Sequence, residues 1–143
     1  MEIERGESLG GESLDTKLLK KRIEIERELV IREARKSFWM FCKVLEPDFY
    51  KKDRIYLKEY CDTLQALYEG RIVKNDEKDD WVIVDSIDDA KDYKYTCNKL
   101  MINMPPQHGK SRTLVNFCKW VLGKNQSERI LSVSYNEDTA SDF

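Results

Sequence analysis

Gly109-Lys110-Ser111 follows an apolar run, Leu100-Met101-Ile102-Asn103-Met104, and precedes a stretch with helical periodicity. That order constrains the chain more than any other feature. A strand, a tight loop and a helix in direct succession are the setting in which Gly-Lys-Ser holds phosphate. The apolar run predicts a buried strand. Leu114, Val115, Cys118, Val121 and Leu122 recur at helical spacing, and Gly123 stands where a C-terminal cap belongs.

In such a loop the backbone N–H groups and the helix N-terminus meet anionic oxygen with partial positive charge. Gly109 lets the backbone come close. Lys110 is read as the catalytic contact to the β- and γ-phosphates of ATP, and the Ser111 hydroxyl as a ligand of Mg²⁺. The usual pattern has a glycine five residues before Gly109, and Met104 stands there instead. Pro105 and Pro106 lack an N–H, so the donors must come from Gln107 onward. The candidate nucleotide-binding residues are therefore Gln107, His108, Gly109, Lys110, Ser111 and Arg112. His108, the one histidine, has no carboxylate near it in the loop, and its expected role is to shape the loop rather than to move a proton.

Upstream, residues 1–13 read as a disordered tail and residues 14–70 as a helical region. Ser13 caps a predicted helix to about Lys36, charge-rich and mostly solvated, with Leu18, Ile25 and Leu29 along a thin stripe. A short helix follows, with Phe38, Phe41, Cys42 and Leu45 on one face and Pro47 ending it. Asp53 is the expected cap of the next helix, which carries Leu57, Tyr60, Cys61, Leu64 and Leu67 before Gly70 stops it. Residues 71–95 are acidic around Trp81-Val82-Ile83-Val84 and read as a loop or short hairpin. Without fixed ligand spacing the acidic residues there read as solvated surface rather than a metal site.

Residues 96–143 read as the start of a phosphate-loop ATPase domain. Arg129-Ile130-Leu131-Ser132-Val133-Ser134 is the second predicted buried strand, and a new helix is expected to begin within residues 138–143. Strand, helix and strand in this order predict a right-handed parallel unit in an α/β fold. Two parallel strands cannot cover their own faces, so the expected sheet is incomplete, a truncated one.

At 143 residues there is room for one domain of ordinary size and none for a second catalytic domain. The 25 Lys plus Arg nearly cancel the 27 Asp plus Glu, and the net charge of -2 excludes a general attraction to nucleic acid. Cys42, Cys61, Cys97 and Cys118 are widely separated, form no zinc-type pair, and read as reduced thiols in a cytoplasmic protein. No signal peptide is visible, and no apolar run approaches the ~20 residues of a membrane span.

Met101 to Ser111, taken with Phe117-Cys118-Lys119-Trp120-Val121-Leu122-Gly123 and Ile130-Leu131-Ser132-Val133-Ser134-Tyr135, closely resembles the large terminase subunit of tailed bacteriophages and prophages. The loop of that family often reads Pro-Pro-Arg-His-Gly-Lys-Ser. Phe38-Trp39-Met40-Phe41 and Pro47-Asp48-Phe49-Tyr50 are similar to its N-terminal helical region.

The resemblance implies an ATPase that drives double-stranded DNA into a capsid in the bacterial host cytoplasm, with a portal protein and a small terminase subunit as partners. By the same analogy Lys110 and Ser111 carry nucleotide and magnesium, and Arg54 and Tyr56 contact adenine. Gln107 replaces the family's arginine, for which Arg112 is the substitute. The family's hydrolytic carboxylates and nuclease domain have no counterpart in these residues, so little turnover is expected from the chain alone.

Two other readings stay open. In one the chain is a non-enzymatic interaction module or a decayed prophage remnant, binding through the helix from Ser13 to Lys36. In the other it is part of a different phosphate-loop ATPase such as a helicase, against which the Pro-Pro pair and the Trp120 to Gly123 helix end both count.

Overall fold

The computed structural model describes residues 13–133. Along them run α1 (Leu14–Lys36), α2 (Phe38–Leu45), α3 (Ile55–Tyr68), β1 (Ile72–Asn75), β2 (Asp80–Ile83), the helical turn α4 (Ile87–Ala90) and α5 (Lys110–Lys124). The architecture mixes helices with a small two-stranded antiparallel sheet. The expected tail, apart from Ser13, the last residue of the expected second strand and the expected final helix lie outside the described residues.

Ser13 starts α1 by accepting a hydrogen bond from the Thr16 N–H (3.3 Å), which satisfies one of the orphan donors of a helix start. Leu18, Ile25 and Leu29 remain exposed, and Ala34 is the residue of α1 that is buried. Ser37 then serves two helices at once. Its N–H donates to the Glu33 carbonyl and closes α1, while its hydroxyl accepts from Met40 N–H and opens α2.

Helices α2, α3 and α5 meet in one core built on Phe38, Trp39, Cys42, Tyr50, Leu57, Tyr60, Cys61, Leu64, Trp120 and Val121. Each large side chain removed from water there contributes about 1.5–3 kcal/mol. Phe38 stands edge-on to Phe117 with centroids 5.2 Å apart, and 5.5 Å from Trp120. The Trp120 indole N–H donates to the Ala34 carbonyl (3.0 Å), so α5 is tied to the end of α1 as well as to α2.

Three sequence expectations are corrected here. Asp53 does not cap α3. A tight turn, in which Arg54 N–H donates to the Lys51 carbonyl (3.1 Å), puts Arg54 at the boundary, and no side chain caps the helix. Gly123 does not end α5, which continues to Lys124 and closes where the Asn125 N–H donates to the Val121 carbonyl. The buried face of α5 is also rotated from Leu114, Val115, Cys118, Val121 and Leu122 to Thr113, Asn116, Trp120 and Val121. Trp120 has more surface to bury than any of those aliphatics, and Thr113 and Asn116 find buried polar partners.

Gly70 does stop α3 as expected. It adopts φ +68°, and Arg71 N–H donates to the Ala66 carbonyl (2.8 Å) in the pattern of a Schellman cap. The hairpin follows with Ile72 opposite Ile83 and Asn75 opposite Asp80. Its turn is held by the Asn75 side-chain oxygen, which accepts from Glu77 and Lys78 N–H. On the other edge of β1, Thr96 bridges Val73, with Lys74 N–H donating to Tyr95 and Cys97 N–H to Ile72. That bridge launches the chain toward the Gly-Lys-Ser loop.

The expected parallel pair is not formed among the described residues. Residues 98–105 and 129–133 have no ladder partner. Ile102 and Met104 pack on the core while Met101 and Asn103 are exposed, Met101 to 95%, the alternation of an extended segment lying on one surface. Leu131 and Val133 are 86% and 83% exposed, so the second segment is not buried. No described helix is long and apolar enough to cross a membrane.

Candidate phosphate-binding site

The site is made where the extended segment 98–105 turns into α5. Pro105 and Pro106 stiffen the approach, and two residues then take positive φ, Gln107 at +62° and Gly109 at +86°. The Pro106 carbonyl can only accept, so the 2.9 Å contact to His108 places a proton on the imidazole Nδ1. The His108 ring also stands 5.8 Å from that of Tyr56.

Gly109 is the N-cap of α5, in a left-handed conformation and with no capping side chain. The first intrahelical bond runs from Thr113 N–H to the Gly109 carbonyl (2.9 Å). Lys110, Ser111 and Arg112 therefore present N–H groups with no intrahelical acceptor, and all three side chains are exposed. A fifteen-residue helix points its positive end into the same space.

That space is a cleft of about 430 Å³ lined by Phe49, Pro105, Pro106, Gln107, Gly109, Lys110, Ser111 and Arg112. Of the residues expected to bind nucleotide, all but His108 line it. Its walls carry two cations and no carboxylate, and the residues present fit a polyphosphate. Arg54 and Tyr56, expected at adenine, are not in the lining. Arg54 lies 4.8 Å over the Phe49 ring, and Tyr56 stands against His108.

Phe49 is the floor that sequence reasoning missed. Its ring edge blocks the position a side chain on residue 109 would take, and the Arg112 guanidinium lies 4.4 Å over its face. Behind it runs a buried polar chain. The Tyr50 hydroxyl is 3.0 Å from Thr113 Oγ1, and the Asn116 amide donates to the Tyr50 oxygen (3.3 Å) and to Glu46 Oε1 (3.0 Å). Glu46 Oε2 pairs with Arg112 at 3.3 Å. Burial pushes the Tyr50 phenol up despite its bond to Thr113, so it stays protonated and the chain keeps its donor. Tyr60 reaches toward the Lys110 carbonyl at a long 3.5 Å, and burial raises it to about 12. The signal for Phe49 was the Pro47-Asp48-Phe49-Tyr50 segment, but no local pattern links it to a loop so distant in sequence.

Among the described residues, no three His, Cys, Asp or Glu side chains converge in a way that could hold a metal. Comparison with protein-family models, with curated proteins and with solved structures returns no match.

Proposed function

We propose that residues 107–112 hold the phosphates of ATP, in a DNA-packaging ATPase of the terminase large-subunit kind. The observation that carries the nucleotide reading is the left-handed Gly109 at the start of α5, which turns unpaired N–H groups toward a cleft walled by Lys110, Ser111 and Arg112. Lys110 supplies a point charge for the outer phosphates, and Ser111 is the side chain that would hold Mg²⁺. When bound, Mg²⁺ neutralises charge on the phosphate oxygens.

In this proposal, 100–104 and 129–133 are the first two strands of a parallel phosphate-loop sheet around α5. The apolar side chains they leave in solvent, Met101, Leu131 and Val133, support it, because parallel sheets occur with both faces covered. The terminase setting rests on the sequence resemblance. It brings double-stranded DNA, a portal protein and a small terminase subunit as partners of the motor, and the bacterial cytoplasm as its place. In the terminase kind of ATPase a carboxylate orients the attacking water, and the cleft lining has none. Binding with little turnover is therefore expected.

Titration of the chain with ATP and Mg²⁺ tests the site. Lys110→Ala is expected to weaken binding at least about tenfold, as loss of a charge-assisted phosphate contact does. Equal affinity in that variant, or none in the unaltered chain, overturns the proposal. Complex formation with a small terminase subunit or a portal protein tests the setting. One observation favours an interaction module instead, the exposed Leu18, Ile25 and Leu29 stripe of α1. Replacing all three by Ser would abolish partner capture on that reading and leave ATP binding intact.

A further inference from the structure

Glu46 touches three parts of the molecule at once. Its backbone carbonyl accepts from the N–H groups of Phe49 and Tyr50, both at 3.1 Å, which winds the turn under the cleft. One carboxylate oxygen accepts from Asn116 inside α5 (3.0 Å), and the other pairs with Arg112 (3.3 Å). Arg112 is also the one arginine in the cleft lining. A single carboxylate thus competes with any phosphate for that guanidinium.

We infer that Glu46 and a nucleoside triphosphate exchange Arg112 between them, so that occupancy of the cleft is read by the joint between α2 and α5. This rests on the nucleotide reading above. The pair is poised for exchange. Side-chain exposures of 53% for Arg112 and 31% for Glu46 leave it in contact with water, where an ion pair is weak. Phosphate oxygens offer the guanidinium a bidentate, doubly charge-assisted partner instead.

The guanidinium keeps its second support, the Phe49 face at 4.4 Å, through the exchange. Glu46 is left with Asn116, whose amide also donates to Tyr50, so the change is delivered to the buried chain behind the cleft.

A double-mutant cycle on ATP binding, with Mg²⁺ present, tests the exchange. Glu46→Gln frees Arg112 while keeping a carbonyl for Asn116, and is expected to tighten ATP binding about three- to tenfold. Arg112→Ala is expected to weaken it by a similar factor, and Glu46→Gln added to Arg112→Ala to change nothing more. If Glu46→Gln tightens binding equally in both backgrounds, the carboxylate acts only through the general field and the exchange is wrong. Unchanged or weaker binding by Glu46→Gln, with Lys110→Ala still weakening it at least about tenfold, overturns the exchange and leaves the phosphate site standing. Absence of any binding sensitive to Lys110→Ala removes the site and the exchange together. Arg112→Lys changes an exposed side chain and leaves Glu46 in place. It keeps the charge but not the fork, and affinity equal to that of the unaltered chain also overturns the exchange.

Discussion

The ring edge of Phe49 occupies the place a side chain at position 109 would need: a Cβ on Gly109 would lie 2.6 Å from Phe49 Cζ and 2.7 Å from Cε1. Gly109 is thus required twice, by its φ of +86° and by its neighbour. Left-handed backbone costs a non-glycine residue about 1–2 kcal/mol. Crowding of a packed site adds about 1–3 kcal/mol. Gly109→Ala is expected to lose roughly 2–5 kcal/mol in urea unfolding. In a Phe49→Leu background the steric part should vanish and the backbone part remain, so the two changes would be strongly non-additive. Additive losses would show that the contact is relieved some other way.

That contact also marks where the sequence stops being informative. The helices were legible because their signals are local: Ser13 caps, Gly70 stops, and Leu57, Tyr60, Cys61 and Leu64 repeat at helical spacing. The hairpin was legible as an apolar patch between acidic turns. The candidate site residues were legible as a group because Gly-Lys-Ser is short and contiguous, and the structure gathers all of them but His108 around one cleft. What faces that cleft from elsewhere was not. Phe49 reaches it, and Glu46 reaches Arg112 on its wall, through folding alone, and Thr113 and Asn116, polar in sequence, are buried because Tyr50 and Glu46 supply partners. The same limit applies to the two apolar runs. Apolar content predicts that a segment is extended, but a ladder depends on a partner, and residues 98–105 and 129–133 have none among the described residues.

Trp120 joins three helices, packing on Phe38, Phe117 and Tyr68 while its indole N–H serves the Ala34 carbonyl. Trp120→Ala is expected to cost about 3–5 kcal/mol, a large fraction of the stability of a typical domain. Trp120→Phe keeps much of the area but strands the carbonyl, and should cost about 1–3 kcal/mol. Chemical denaturation of the pair checks the ranking. A Phe variant as damaged as the Ala variant would assign the loss to the hydrogen bond rather than to packing.

Thr113 and Tyr50 form a buried hydroxyl pair at 3.0 Å. Asn116 donates to the Tyr50 oxygen, which leaves the phenol proton to go to Thr113 Oγ1. Thr113→Val strands that proton and is expected to cost about 1–3 kcal/mol. Adding Tyr50→Phe removes the stranded donor, and the double variant should be more stable than the sum of the single changes implies. Thermal unfolding of the four proteins measures the coupling, and a coupling of zero would mean that the phenol proton has another acceptor.

Glu69 ties the end of α3 to the start of β1 and the end of α5. It accepts from Gln65 (2.9 Å), Arg71 (2.8 Å) and Lys124 (3.3 Å). Burial pushes its carboxyl up, but the hydrogen bonds from Gln65, Arg71 and Lys124 outweigh that and hold it below its ordinary value of 4.5. The unfolded chain therefore takes up this proton at a higher pH than the folded one. Between the two values the unfolded state carries more protons, and stability rises with pH. The contribution is complete above pH 4.5 and disappears as pH falls through the lower folded value. Glu69→Gln is expected to cost on the order of 1 kcal/mol near neutrality, where its ion pairs are intact. Below pH 4.5 the two proteins should converge, with the unaltered chain losing stability more steeply. Parallel stability curves from pH 7 down to about pH 3 would mean that Glu69 titrates alike folded and unfolded, and that this junction of α3, β1 and α5 is held by packing alone.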